Sequence, residues 1–155
     1  MTVTGCEHIG IQVRDIDRSV SFYKDALGLE LISRFTKSEP YVQRVVGYPG
    51  VILEIAMMRI PGSTVELEIL EYREVERTPI DPETANPGTM HFSLYVSDLD
   101  ELHAHLRGRG VEFVSDVETA VAGPIAGGKV VYMKDPDGIR VELVELPRGG
   151  DSGGA

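Results

Sequence analysis

Two histidines and two glutamates stand at matching places in a pattern that this 155-residue sequence states twice. His8 opens HIGIQVRDID and His91 opens HFSLYVSDLD, while Glu68 lies within LEILEY and Glu142 within VELVEL. Imidazole nitrogens and carboxylate oxygens both ligate divalent metals, and a repeated unit carrying one of each points to a site made by bringing the copies together. A histidine taken singly is more often a satisfied core residue, and a strand glutamate more often a solvated one. Four such residues recurring together favour metal binding over that structural reading.

The elements that must position these residues follow from hydrophobic period. Ile9, Ile11 and Val13 alternate with His8, Gly10 and Gln12, and Phe92, Leu94 and Val96 alternate with His91, Ser93 and Tyr95, as half-buried strands require. Each imidazole is thereby set opposite its strand's apolar face, and Gly10 or Ser93 beside it leaves room for a ligand. A helix follows in each copy, with Asp17 and Asp100 expected as N-terminal caps and Gly28 and Gly110 as stops. Val20, Tyr23 and Leu27, and then Leu99, Leu102 and Leu106, form the core-facing stripes, whereas His103 and His105 are expected on a solvated surface.

Three further strands complete each copy, near residues 30–35, 50–58 and 64–72 in the first and 112–114, 129–134 and 139–146 in the second. Asp135-Pro136-Asp137-Gly138 is a strong hairpin signal between the last two. On the late strands Glu68 lies opposite Val65, Leu67 and Ile69, and Glu142 points away from Val141 and Leu143. A carboxylate amid apolar neighbours is costly without a partner, and a metal would serve as one. Glu66 and Glu71 read as surface residues and Tyr95 as a cavity wall.

The resulting β-α-β-β-β units predict an α+β fold of one domain over residues 1–155, with a first module at about 5–72, a linker at 73–89, a second module at about 90–146 and a flexible tail at 147–155. His8 and His91 stand 83 positions apart, but Glu68 and Glu142 only 74, so the second copy is nine residues shorter. Most of the surplus falls in residues 33–50, expected as a long loop or ragged hairpin of the kind that lines binding sites. The formal charge of -10 and the scattering of fifteen Lys and Arg residues argue against nucleic acid as a partner, although Arg34, Lys37 and Arg44 offer a local basic patch for an anion. No apolar run is long enough for a bilayer and the N-terminus lacks a signal-peptide pattern, so a cytoplasmic protein is expected. Cys6, the one cysteine, is expected to be a buried structural residue.

Taken together, HIGIQVRDIDRSVSFYKDALGLEL, LEILEY, MHFSLYVSDLD and KDPDGIRVELVE resemble the vicinal oxygen chelate superfamily across about residues 5–146. That resemblance implies two βαβββ modules forming a half-barrel mixed sheet with helices outside, and one divalent metal held by the residues matching His8, Glu68, His91 and Glu142. Two imidazoles and two carboxylates suit Ni, Co, Mn, Zn or Fe. A metal with two open positions can chelate neighbouring substrate oxygens and lower the energy of an enolate.

The ligand set resembles that of bacterial glyoxalase I, which implies Glu142 as the base. Glu54 interrupts VILEIAMM and is similar to a methylmalonyl-CoA epimerase pattern, making it a candidate second acid or base if it faces the cavity. The leading expectation is therefore proton-transfer isomerisation, epimerisation or lyase chemistry on a small carbonyl compound, by a homodimer. An Fe(II) extradiol-type dioxygenase and an antibiotic-binding or resistance protein are the alternatives.

Overall fold

Residues that alternate in the sequence alternate in burial: Ile11 and Val13 are buried while Gln12 is exposed, and Phe92 and Leu94 are buried while His91, Ser93 and Tyr95 are exposed. A computed structural model of the chain describes residues 2–147, so the expected tail after Pro147 lies outside the described residues. Two compact units divide the chain, Met1–Pro79 and Ile80–Ala155. The first contains β1 (His8–Gln12), α1 (Ile16–Leu27), β2 (Glu30–Lys37), α2 (Pro40–Val46), β3 (Ile52–Arg59) and β4 (Glu66–Arg73). The second contains β5 (His91–Tyr95), α3 (Leu99–Gly108), β6 (Glu118–Thr119), β7 (Lys129–Lys134) and β8 (Arg140–Glu145).

Each unit has its own open four-stranded sheet, ordered β1-β4-β3-β2 and β5-β8-β7-β6. In both, the first strand lies parallel to the last, and the other pairings are antiparallel. One face of the first sheet carries Ala56, Met58, Leu67 and Ile69, all fully buried with Ile16 and Tyr23 of α1. Val131, Met133, Val141 and Leu143 do the same in the second sheet with Leu99 and Leu106 of α3. Among the described residues, no helix is long and apolar enough to cross a membrane.

The helix starts correct the expected caps. Asp15, not Asp17, caps α1 by accepting from the Arg18 N–H at 3.0 Å. Asp17 instead pairs with Arg34, whose hydrogen bond and positive charge hold the Asp17 carboxyl below its ordinary range and commit that guanidinium locally. Asp100 sits in the first turn of α3 and pairs with Lys129, while Asp98, the residue before the helix, makes no side-chain cap.

The helix-start amides find acceptors on the last strand of each unit. Glu71 of β4 accepts from the Ile16 N–H at 3.1 Å, and Glu145 of β8 accepts from the Leu99 N–H at 2.8 Å. Both carboxylates are buried, which corrects the placing of Glu71 at the surface. A carboxylate at a helix N-terminus meets free amides and the positive end of the helix dipole, and this offsets its desolvation.

Other expectations fail for local reasons. Residues 33–50 are not a loop: β2 runs on to Lys37, Pro40 starts α2 at a position that needs no donor, and Gly47 ends it at φ 81°. Gln43 then ties the turn together, donating to the Ser38 carbonyl and accepting from the Gly50 N–H. Residues 112–114 meet β7 through an isolated Phe113–Met133 bridge, two flanking backbone hydrogen bonds and the Glu112–Lys134 ion pair instead of a continuous ladder, and the edge resumes as the two-residue β6. His103 is buried, because it shares the inward stripe of Leu99 and Leu106 and meets the Phe113 ring edge-on at 4.3 Å. Cys6 is exposed and donates only to the His8 carbonyl.

The capping glutamates make unequal predictions. Because α1 also has Asp15 and α3 has no local side-chain cap, Glu145→Ala is expected to cost about 2–3 kcal/mol and Glu71→Ala about 1–2 kcal/mol. Urea denaturation monitored by far-UV circular dichroism tests this order, and equal losses would count against the assigned capping roles.

Candidate active site

Parallel pairing of β1 with β4 sets Gly10 beside Glu68 and His8 beside Glu66, so His8, Gly10 and Glu68 share the sheet face turned away from α1. His8 Nε2 lies 3.0 Å from Glu68 Oε2, and its Nδ1 is held by the Glu7 carboxylate. Such an outer carboxylate fixes the ring and leaves the other nitrogen for a ligand. Gly10 lies beneath the pair: a Cβ there would be 3.6 Å from Glu68 Oε2 and 3.9 Å from His8 Cδ2. The position has space for a methyl group in ordinary contact with these atoms and with Leu70 Cδ1 at 3.5 Å.

Beyond Glu68 the same face is apolar. Leu53, Ile55 and Leu70 pack under Val42 of α2 and Val51, with Met57 and Tyr72 against them. Tyr48 meets Tyr72 edge-on at 5.8 Å. Burial, with smaller contributions from Tyr48 and Glu68, pushes the Tyr72 phenol above its ordinary pKa.

The second unit repeats the arrangement with different neighbours. Ser93 pairs with Glu142 across β5 and β8, and Tyr132 pairs with Glu142 across β7 and β8. His91 Nε2 is 3.7 Å from Glu142 Oε2, beyond hydrogen-bond length, and 3.1 Å from the Tyr132 hydroxyl. The His91 and Tyr132 rings stand edge to face at 5.2 Å. Burial first, and the Glu142 charge second, raise the Tyr132 pKa. Arg140, beside His91 on this face, is buried and donates through Nη2 to both oxygens of Glu83, at 2.6 and 2.7 Å. Residues 80–89, expected only as linker, are thus partly pinned to the second sheet, and Pro82 lies against Gly138 of the β7–β8 turn.

Each unit accordingly brings together one imidazole and one carboxylate, and among the described residues no group of three or more metal-binding side chains is gathered. Metal–nitrogen and metal–oxygen bonds of about 2.1 Å at right angles place the two donor atoms about 3.0 Å apart. The His8–Glu68 spacing matches that value, and the wider His91–Glu142 spacing needs a small side-chain adjustment. The donors fit a borderline divalent ion, and both histidines offer Nε2.

Glu54 does not join them. Its register partner is Glu71, whereas Glu68 faces Met57, so Glu54 projects to the helix-covered side of the sheet. There it accepts from the Thr36 hydroxyl at 3.0 Å and lies 3.6 Å from Arg73. This corrects its expected role as a cavity-facing acid or base. Tyr132, which the sequence reading passed over, is on the site face instead. Its signal was available: Val131 and Met133 are apolar, Tyr132 lies between them, and a hairpin centred on the Asp135–Gly138 turn pairs residue 132 with residue 142.

Comparison with known proteins gives the family and the fold. Residues 5–143 match the Glyoxalase/Bleomycin resistance protein/Dioxygenase superfamily. A 2-epi-5-epi-valiolone epimerase from Actinomyces sp. is 32% identical over 146 residues, covering 92% of this chain and 79% of the relative. The lactoylglutathione lyase of Haemophilus influenzae is 27% identical over 141 residues, covering 89% of this chain and 90% of the relative. In fold, the chain is similar to a glyoxalase family protein from Bacillus cereus, with a TM-score of 0.79, 24% identity, and coverage of 95% of this chain and 97% of that one.

The space over Gly10 can be tested directly. Gly10→Ala is expected to be tolerated, with a gain of about 0.4–1 kcal/mol from a stiffer unfolded chain, because its Cβ meets only ordinary contacts. Gly10→Leu is expected to part His8 from Glu68, visible as a shift of the His8 imidazole resonances; an unmoved His8 signal would refute the close placement.

Proposed function

This chain belongs to the Glyoxalase/Bleomycin resistance protein/Dioxygenase superfamily, and from that premise we propose that it is a metal-dependent enzyme moving a proton at the carbon beside a carbonyl group of a small substrate. The observation that carries this reading is the imidazole–carboxylate pair present on the same face of both sheets. His8, Glu68, His91 and Glu142 are the proposed ligands of one divalent ion. When bound, that ion supplies Lewis-acid stabilisation of the negative charge that collects on a carbonyl oxygen as the neighbouring carbon loses its proton.

The two carboxylates are not equivalent. Glu68 Oε2 is within hydrogen-bond distance of His8, whereas Glu142 approaches His91 only to 3.7 Å. Glu142 is the less committed, and we assign it removal of the proton from carbon, with return of a proton to the opposite face of that carbon left to a second acid. Its neighbour Tyr132 flanks it on one side and the exposed Ser93 on the other.

Among the proton-transfer reactions, epimerisation is preferred. The relative at 32% identity is named for it, and the Glu68 face beyond the ligand pair is filled by Val42, Leu53, Ile55 and Leu70. Over those four residues the wall is apolar, with Lys37 at its edge beside Leu53. A compact carbonyl substrate suits that wall.

The test is solvent exchange. Protein loaded with Ni, Co, Mn, Zn or Fe, and assayed for bound metal, is incubated in D2O with 2-epi-5-epi-valiolone and, separately, with S-lactoylglutathione. Deuterium is expected at a substrate carbon in the first case, and Glu142→Gln is expected to slow its entry by about 10²–10⁴-fold. Undiminished exchange in that variant, or oxygen consumption with Fe(II) and a catechol in place of exchange, would overturn the reading.

A further inference from the structure

Tyr132 is a group on the site face, outside the proposed ligands, whose partner is claimed by the function proposed above. Its hydroxyl lies 3.1 Å from His91 Nε2, and that nitrogen is the atom assigned to the metal. An imidazole nitrogen has one in-plane lone pair; it cannot both accept the phenol's hydrogen bond and ligate an ion. Occupation of Nε2 therefore leaves the Tyr132 hydroxyl without its acceptor, on a half-buried ring that water only partly reaches.

The register limits where a new acceptor can be. Tyr132 faces Glu142 directly across β7 and β8, and its side chain is the longer of the two, so the hydroxyl stands further from the sheet than the carboxylate. Its ring thus lies beside the carboxylate assigned the proton, with the hydroxyl reaching His91. Resting on the metal-dependent reading, we infer that Tyr132 is a substrate-binding residue: its hydroxyl leaves His91 Nε2 and donates to an oxygen of the bound carbonyl compound beside Glu142.

At the position facing Glu68 from the neighbouring strand the first unit has Met57, which has no donor. The two glutamates therefore meet different chemistry at that register position, an O–H donor opposite Glu142 and a thioether opposite Glu68. A donor fixed on one side orients the substrate and selects which carbon is presented to Glu142.

Tyr132→Phe keeps the ring and its edge-to-face contact with His91 while removing only the hydroxyl. The full chain, wild type and variant, is loaded with Co(II), its metal content measured, and acetohydroxamate, a chelator with two neighbouring oxygens, titrated while the visible Co(II) spectrum is followed. The expected result is unchanged Co(II) content with a Kd for acetohydroxamate about ten-fold weaker in the variant, as loss of a hydrogen bond to a charged oxygen requires. An unchanged Kd would overturn the inference alone, as would loss of Co(II) by the variant, since the hydroxyl would then serve His91 instead of the ligand. Failure of the wild type to take up Co(II) would overturn the metal reading and this inference with it, and is seen before any acetohydroxamate is added.

Discussion

In each unit the first strand runs parallel beside the last, and the register of that single pairing decides whether a site exists. One-residue slippage of β1 against β4 would turn His8 to the face covered by α1 and leave Glu68 alone. Parallel neighbours cannot be joined by a tight turn, so the chain must cross from one to the other, and it does so through a helix and an antiparallel pair of strands. The helix is consequently part of what holds the register. Glu71 and Glu145 fasten it: each sits on the last strand and accepts from the backbone at the start of the helix that follows the first.

This gives the short sequence between the two glutamates of each last strand a physical meaning. Glu68 and Glu71 are three residues apart on one strand, as are Glu142 and Glu145, and an odd separation sends side chains to opposite faces. The earlier carboxylate meets an imidazole and the later one meets a helix N-terminus. A charge that would be expensive in either apolar setting is compensated on both sides of the sheet, by different partners. Glu54, at an odd separation from Met57, falls on the helix side by the same rule and finds Thr36 there.

Period-2 alternation made the strands, their faces and the four candidate ligands legible in the sequence, because each imidazole and carboxylate interrupts or opposes an apolar set visible without coordinates. The chain relation of His8 to Glu68 was not legible in that way, since parallel pairing over sixty positions leaves no local mark of register. Glu71 was read as a surface residue and Glu145 was not singled out, so both were missed as caps; their partners are the backbone amides of Ile16 and Leu99, which carry no residue signature. His103 was missed through the opposite error, weighing its polarity above its i+4 place in the stripe of Leu99. Residues 33–50 look irregular by composition, yet the proline and glycine that suggested a loop are the start and stop of α2.

Where the two units differ is as informative as where they agree. Opposite each site glutamate stands Met57 in one unit and Tyr132 in the other, and two positions before it stand Glu66 and Arg140. Only the first unit adds a helix over the site face, and it contributes apolar side chains there. Only the second places a buried guanidinium beside its histidine, neutralised by Glu83. Duplication supplies a matching pair of donors in unmatched surroundings. The observed spacings, 3.0 Å in one unit and 3.7 Å in the other, break the equivalence of Glu68 and Glu142 within the protein itself.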